Sequence, residues 1–204
     1  MGIALLLGAV WGFAEATLFF IVPDVALTFI AILGPEHAWA ACAAAVIGAV
    51  LGGGLIYLLG VRDTRRLTRA FVRIPAIDRR EIAAVRARVG RTGFGAIFLG
   101  PLLGTPYKLY AAEAGRRRMS LPIFLFVTVP ARAIRFVLAT ALWLWLAGGP
   151  LAEWSTTAVA LLTTAAWVGF YAWYFRMKRR ATRPEPARTR AGSPAPDSVR
   201  ATLA

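Results

Sequence analysis

Residues 38–60 run for 23 apolar residues without a charge. No feature constrains the fold more. A helix rising about 1.5 Å per residue over that length crosses a ~30 Å hydrocarbon core. The run is rich in small residues, among them Gly48, Gly52, Gly53 and Gly54, and small residues let a neighbouring helix approach closely. Gly48 and Gly52, with Tyr57 after them, therefore mark a packing face. The chain as a whole is 58% hydrophobic, yet it carries +14 formal charge from 24 Lys+Arg against 10 Asp+Glu. Soluble chains of ordinary composition are less apolar and more charged. The combination fits a membrane protein whose charge is collected in its loops. It does not fit an ordinary soluble enzyme or a disordered basic protein.

The other segments continue the alternation. Residues 3–33 are apolar but interrupted by Glu15 and by Pro23-Asp24, and Gly34 to His37 is a turn. Residues 61–92 carry ten arginines against Asp63, Asp78 and Glu81. Leu67, Phe71 and Ile74, then Ile82, Val85 and Val89, recur there at helical spacing. This predicts one or two basic amphipathic cytoplasmic helices on an anionic leaflet, with membrane lipids and their anionic headgroups as partners. No nucleic acid is expected, because the flanks are membrane segments and base-stacking aromatics are missing.

Residues 93–115 are apolar with the breakers Gly100, Pro101, Gly104 and Pro106, and Arg116-Arg117-Arg118 follows. Residues 121–147 are apolar, with Pro122 and Pro130, and with Arg132 and Arg135 near the middle. Residues 154–175 read as a last apolar helix, with Trp154 at one end and Tyr171, Trp173 and Tyr174 at the other as interface aromatics. Residues 1–176 thus form one membrane domain. Residues 177–204, rich in Arg, Pro, Ala and Ser, read as a disordered basic cytoplasmic tail. The N-terminal run has no charged leader and no clear cleavage site before Glu15, so it is expected to belong to the mature fold.

Positive residues mark cytoplasmic loops. The 61–92 loop, the Arg116 cluster and the tail are basic, whereas the turns at 34–37 and 148–153 hold no Lys or Arg. Segment 93–115 therefore begins and ends inside, which a re-entrant hairpin can do and a single crossing cannot. Segment 3–33 crosses once, or turns at Pro23-Asp24 as a second hairpin from the outside. The second option gives two halves of opposite orientation, an architecture used by transporters.

Three acids (Glu15, Asp24, Glu113) and three bases (Lys108, Arg132, Arg135) fall within these apolar segments. A charge at the bilayer centre costs ~2.5–3.5 kcal/mol on insertion scales, so all six must pair or face water. Two readings stay open. The charges hold the hairpins together, with Glu113 pairing to the Arg cluster. Alternatively, Glu15, Asp24, Lys108, Arg132 and Arg135 form a polar site between hairpin tips broken at Pro23 and at Gly100 to Pro106. There a base can hold a phosphate or another anion, and a partly desolvated carboxylate can exchange a proton.

The run from Glu15 to Pro23-Asp24 resembles the first hairpin of the DedA family, also called SNARE-associated or VTT-domain proteins. Gly48-x3-Gly52-x4-Tyr57-x2-Gly60 is similar to that family's next helix. Ala114-Gly115-x3-Met119, with Phe124 after it, is similar to the stretch after its second hairpin. The resemblance covers roughly residues 10–147. It implies two inverted re-entrant hairpins with flanking helices, and movement of lipids or polyprenyl phosphates between leaflets, proton-coupled in some members. It places the family's acidic positions at Glu15 and Asp24, and Tyr57 and Gly115 in helix packing. It implies a bacterial inner membrane location, multi-pass, with the C-terminus cytoplasmic. The family's Arg-Phe-x-Pro-x-x-Arg pattern is replaced here by Phe98 to Lys108, without either arginine. Lys108, Arg132 or Arg135 must then supply the charge, and Lys lacks the bidentate fork of Arg. Gly53 stands where the family often has a polar or acidic residue.

The expectation is therefore an all-α membrane protein: two inverted re-entrant hairpins, about three transmembrane helices and the basic amphipathic segment. It would act as a lipid or polyprenyl-phosphate translocase. The alternatives are a secondary transporter of ions or small solutes, and a membrane-organising protein without transport. An enzyme is not expected. His37, the only histidine, sits beside Glu36 in a turn without a nucleophile partner. There is no P-loop or dinucleotide fingerprint, and neither a cofactor nor a metal is expected. Cys42, the only cysteine, reads as a small packed hydrophobe. A homo-oligomer stays open.

Overall fold

The uncharged run lies within a 28-residue helix, α3 (Pro35–Arg62). The computed structural model describes residues 1–17, 19, 21–74 and 77–181, the last four by backbone alone. Every regular element among them is a helix. Around α3 stand α1 (Gly2–Thr17), α2 (Pro23–Ala31), α4 (Thr64–Phe71), α5 (Arg79–Thr92), α6 (Phe94–Leu102), α7 (Tyr107–Arg116), α8 (Leu121–Gly148) and α9 (Thr156–Ala181). Three are long and apolar enough to cross a membrane: α3, α8, and α9 over Thr156–Met177. The chain is thus an all-helical protein of membrane character. α9 runs past the expected start of the tail at 177. Residues 182–204, where the rest of the disordered tail was expected, lie outside the described residues.

The elements fall into two similar triplets. α1, a break, α2 and the 28-residue α3 are matched by α6, a break, α7 and the 28-residue α8. Each long helix follows a residue at positive φ, Gly34 at 119° or Arg118 at 52°, and opens with a proline in its first turn, where the missing N–H costs nothing. The packing exchanges the halves. α1 lies on α3 and α6 on α8, while each short helix crosses over: α2 packs on α8 and α7 on α3.

Close approach holds α3 at the centre. A Cβ at Gly48 would collide with the backbone of Ala9 and Phe13, and one at Gly52 with Phe13 and Ala16 of α1. On the opposite side Gly115 of α7 lies against the backbone of Tyr57, whose hydroxyl donates to the Met119 carbonyl. Gly48, Gly52, Tyr57 and Gly115 thus lie where helices meet.

The 61–92 segment forms two helices, each capped by an aspartate. Asp63 accepts from the Arg66 N–H at 2.9 Å and Asp78 from the Glu81 N–H at 2.7 Å. Their apolar residues Leu67, Phe71, Ile82, Val85 and Val89 are buried in the core, where α5 packs on α6 and α7. The apolar face therefore meets protein, and eight of the ten arginines are exposed, Arg86 and Arg88 being partly buried.

The backbone contact between α1 and α3 makes a direct prediction. Gly48→Val forces two backbones apart, and overpacking of this kind costs about 1–3 kcal/mol. Thermal unfolding in detergent should show a clear drop in midpoint for Gly48→Val and none for Gly95→Ala, where a Cβ meets open space. Equal midpoints would contradict this packing.

Candidate functional site

The site is built where the two helix breaks meet the long helices. At the end of α1 the Thr17 hydroxyl donates back to the carbonyls of Phe13 and Ala14, both at 3.0 Å. The chain restarts at Pro23, with Asp24 in the first turn of α2, where a carboxylate suits the positive pole. α6 ends at Leu102, Gly104 takes a φ of 87°, and Pro106 precedes α7.

This corrects the expected second break. Gly100 and Pro101 lie inside the last turn of α6, and the break spans Leu103 to Pro106. Pro101 fits because the helix ends one residue later. Gly100 is small because the Tyr110 ring lies where its Cβ would be. Of the expected breakers, Gly104 and Pro106 lie in the break between α6 and α7, and Pro23 opens α2.

The structure brings all five expected charged residues together in two ion pairs and one hydrogen bond. Arg132 Nη2 of α8 donates to Glu15 Oε2 of α1, with side chains 1% and 7% exposed. The Arg132 guanidinium lies between the rings of Tyr107 and Phe136, at 5.0 and 4.6 Å from their centroids. Its Nε and Nη1 are buried without a hydrogen-bond partner among the described residues. One turn on, Arg135 donates through Nη2 at 2.7 Å and Nε at 3.2 Å to Asp24 Oδ2. Lys108, also buried, donates from Nζ to the carbonyl of Phe19, so the start of α7 reaches the break after α1. Tyr107 donates to Thr128 Oγ1 at 3.2 Å, and its hydroxyl occupies the place a Cβ at position 53 would take. Gly53 therefore makes room for the aromatic that covers Arg132.

Glu15, Lys108 and Arg135 line a cavity of about 390 Å³. Its other walls are the Gly104–Pro106 break, Ile74 and Ile77 beside the α4–α5 connection, and Phe170, Tyr171 and Tyr174 of α9. Charged, aromatic and apolar side chains thus line the same cavity. That suits an amphiphile or an anion with an apolar part.

Sequence reasoning missed the α9 wall. Tyr171 was read as an interface aromatic. Instead it accepts from the Val22 N–H at 3.0 Å, while Trp167 donates to Thr28 Oγ1 at 3.0 Å, and so α9 is tied to α2. The available signal was spacing, since Phe170, Tyr171, Tyr174 and Met177 share one helical face. Arg88 is one of the ten arginines of the basic segment 61–92. It reaches inward, donating to Tyr110 Oη at 2.7 Å and Thr105 Oγ1 at 3.3 Å, and so braces the second break. Cys42 is buried. His37 and Glu36 do not line the cavity. Among the described residues no cluster of three or more His, Cys, Asp or Glu side chains could hold a metal.

Outside the cavity, Glu113 is buried at the end of α7. It accepts from Arg116 Nε and Arg117 Nε, both at 2.6 Å, with Arg86 at 3.7 Å. Burial works to raise its carboxyl, but the hydrogen bonds and charges of Arg116 and Arg117 outweigh it and hold the group below its ordinary range.

Two outcomes follow from these pairs. Arg132→Met alone strands a buried Glu15 carboxylate and should cost about 3–5 kcal/mol of stability, whereas Glu15→Leu with Arg132→Met should recover most of it. Thermal unfolding in detergent checks this, and equal losses in both variants would contradict a buried pair. For Glu113, a folded-state value below the unfolded one gives stability that is full above the unfolded carboxylate range. That stability is lost as pH falls through the lowered folded value. The stability gap between wild type and Glu113→Gln should therefore be widest at neutral pH and close on acidification. A gap independent of pH would count against these ion pairs.

A scan against protein-family models finds no match to this chain, and searches of curated proteins and of solved structures find none either.

Proposed function

We propose that the chain is a membrane translocase for an amphiphile with an anionic headgroup, a lipid or a polyprenyl phosphate, working in the manner of the DedA proteins it resembles. The observation that carries this reading is the cavity between the two helix breaks, lined by Glu15, Lys108 and Arg135 together with Phe170, Tyr171 and Tyr174 of α9. In this reading both broken pairs are re-entrant hairpins of opposite orientation. Support comes from the matched triplets and from short helices that each pack on the other half's long helix. Irregular backbone at membrane depth is tolerated where protein or a watery cavity surrounds it, and both breaks adjoin this cavity.

The chemistry is an exchange of partners. A phosphate entering the cavity competes with Asp24 for the Arg135 guanidinium and with the Phe19 carbonyl for the Lys108 ammonium. Both are charge-assisted contacts, and stronger than neutral ones. Asp24 holds Arg135, the arginine that lines the cavity, so release of that pair is the step that frees it for a headgroup. The acyl or prenyl part follows the Phe170, Tyr171 and Tyr174 wall.

Reconstitution into liposomes tests this. Wild type should accelerate movement of a fluorescent phosphate-bearing lipid between leaflets. Lys108→Ala and Arg135→Ala should each slow it by ~10-fold or more, the value of a lost hydrogen bond to a charged group. Glu15→Gln should change its response to a pH gradient. Equal rates in all variants would sink these roles. Proton-dependent solute uptake without lipid movement would favour a small-solute carrier instead.

A further inference from the structure

A second charged feature lies outside the cavity. α4 and α5 enclose an open cleft of about 420 Å³ lined by Arg65, Arg69, Arg79 and Arg86, with the hydroxyls of Thr64 and Thr68 beside them and Ile82 among its walls. Four guanidiniums from two helices face one space. A solvated amphipathic face has no reason to gather them. Arg65 and Arg69 are four residues apart on α4, a spacing at which like charges weaken a helix.

No acidic side chain is among the residues that line the cleft. Asp63 and Asp78 cap the two helices, and Glu113 is shared by Arg116, Arg117 and, more distantly, Arg86. Arg65, Arg69 and Arg79 have no carboxylate within salt-bridge distance among the described residues. Arg86 is partly buried and held on Thr68 Oγ1 at 3.4 Å. The cleft thus combines one anchored guanidinium with three unpaired ones. Ile82 of its lining is packed in the core.

We infer that this cleft binds a phosphate-bearing anion of two or more negative charges. Arginine's planar fork matches phosphate oxygens, and several forks on one anion remove the mutual repulsion that the empty cleft carries. The same chemistry is offered by an anionic lipid headgroup and by a soluble diphosphate. The cleft shares no residue with the cavity of Glu15, Lys108 and Arg135, so the inference stands apart from the transport reading.

Two probes on the full chain in neutral detergent test it: inorganic pyrophosphate by titration calorimetry, and phosphatidic acid against phosphatidylcholine by native mass spectrometry. Wild type should bind pyrophosphate, or phosphatidic acid in preference to phosphatidylcholine. The variant carrying Arg65→Gln, Arg69→Gln and Arg79→Gln should bind at least ~10-fold more weakly. A charge-matched variant carrying Arg62→Gln, Arg73→Gln and Arg91→Gln should bind as wild type does. All six positions are exposed, and the single Arg69→Gln variant, also weaker than wild type, guards against misfolding of the triple. Pyrophosphate binding assigns a soluble ligand, and phosphatidic acid binding alone assigns a lipid. Binding of neither probe, or equal weakening in both triple variants, would overturn the site.

Discussion

Burying the Arg132 guanidinium is the constraint on which the rest of the core depends. A charge this deep needs an opposite charge and a polarisable surrounding, or it costs several kcal/mol. Glu15 supplies the charge, and the faces of Tyr107 and Phe136 supply the surrounding. Each partner in turn dictates others. Tyr107 can lie over Arg132 because residue 53 is glycine, and its hydroxyl is satisfied by Thr128. Glu15 can reach α8 because Gly48 and Gly52 let α1 sit against α3. A pair that joins the first helix to the eighth thus fixes how the two halves meet.

The second pair and the lysine contact repeat that logic at the helix breaks. Asp24 opens α2 and Lys108 lies in the first turn of α7. Each of them bonds to the opposite half, Asp24 to Arg135 of α8 and Lys108 to the break after α1. Polar backbone exposed by a broken helix is costly in an apolar setting. Here part of that cost is offset by side chains from elsewhere in the chain, Lys108 at the Phe19 carbonyl and Tyr171 at the Val22 N–H. Lys108 and Tyr171 also line the cavity.

Much of the fold was legible because hydropathy and proline placement are local properties. The uncharged run became α3, and the interrupted runs became helix pairs with breaks near Pro23 and Gly104. The balance of buried signs announced pairing. What sequence could not give was partner choice, because Glu15 and Arg132 are brought together only by tertiary packing. Gly100 and Pro101 looked like a turn because their dipeptide is a breaker in isolation. In the fold the glycine serves the Tyr110 ring and the proline sits in a final turn. The apolar face of α4 and α5 looked ready for lipid because periodicity reports an amphipathic face and not what covers it. The aromatic wall from α9 was hidden for the same reason.

The central claim is that the two broken pairs enter the membrane from opposite faces and meet at these charges. Single cysteines introduced into a Cys42→Ala background and labelled with a membrane-impermeant maleimide test it most directly. Gly2→Cys and Glu36→Cys should react from the outer face, and Arg91→Cys and Ser120→Cys only from the inner face. Labelling of Gly2→Cys and Glu36→Cys from opposite faces would mean that the first pair crosses the membrane, and would contradict the inverted arrangement.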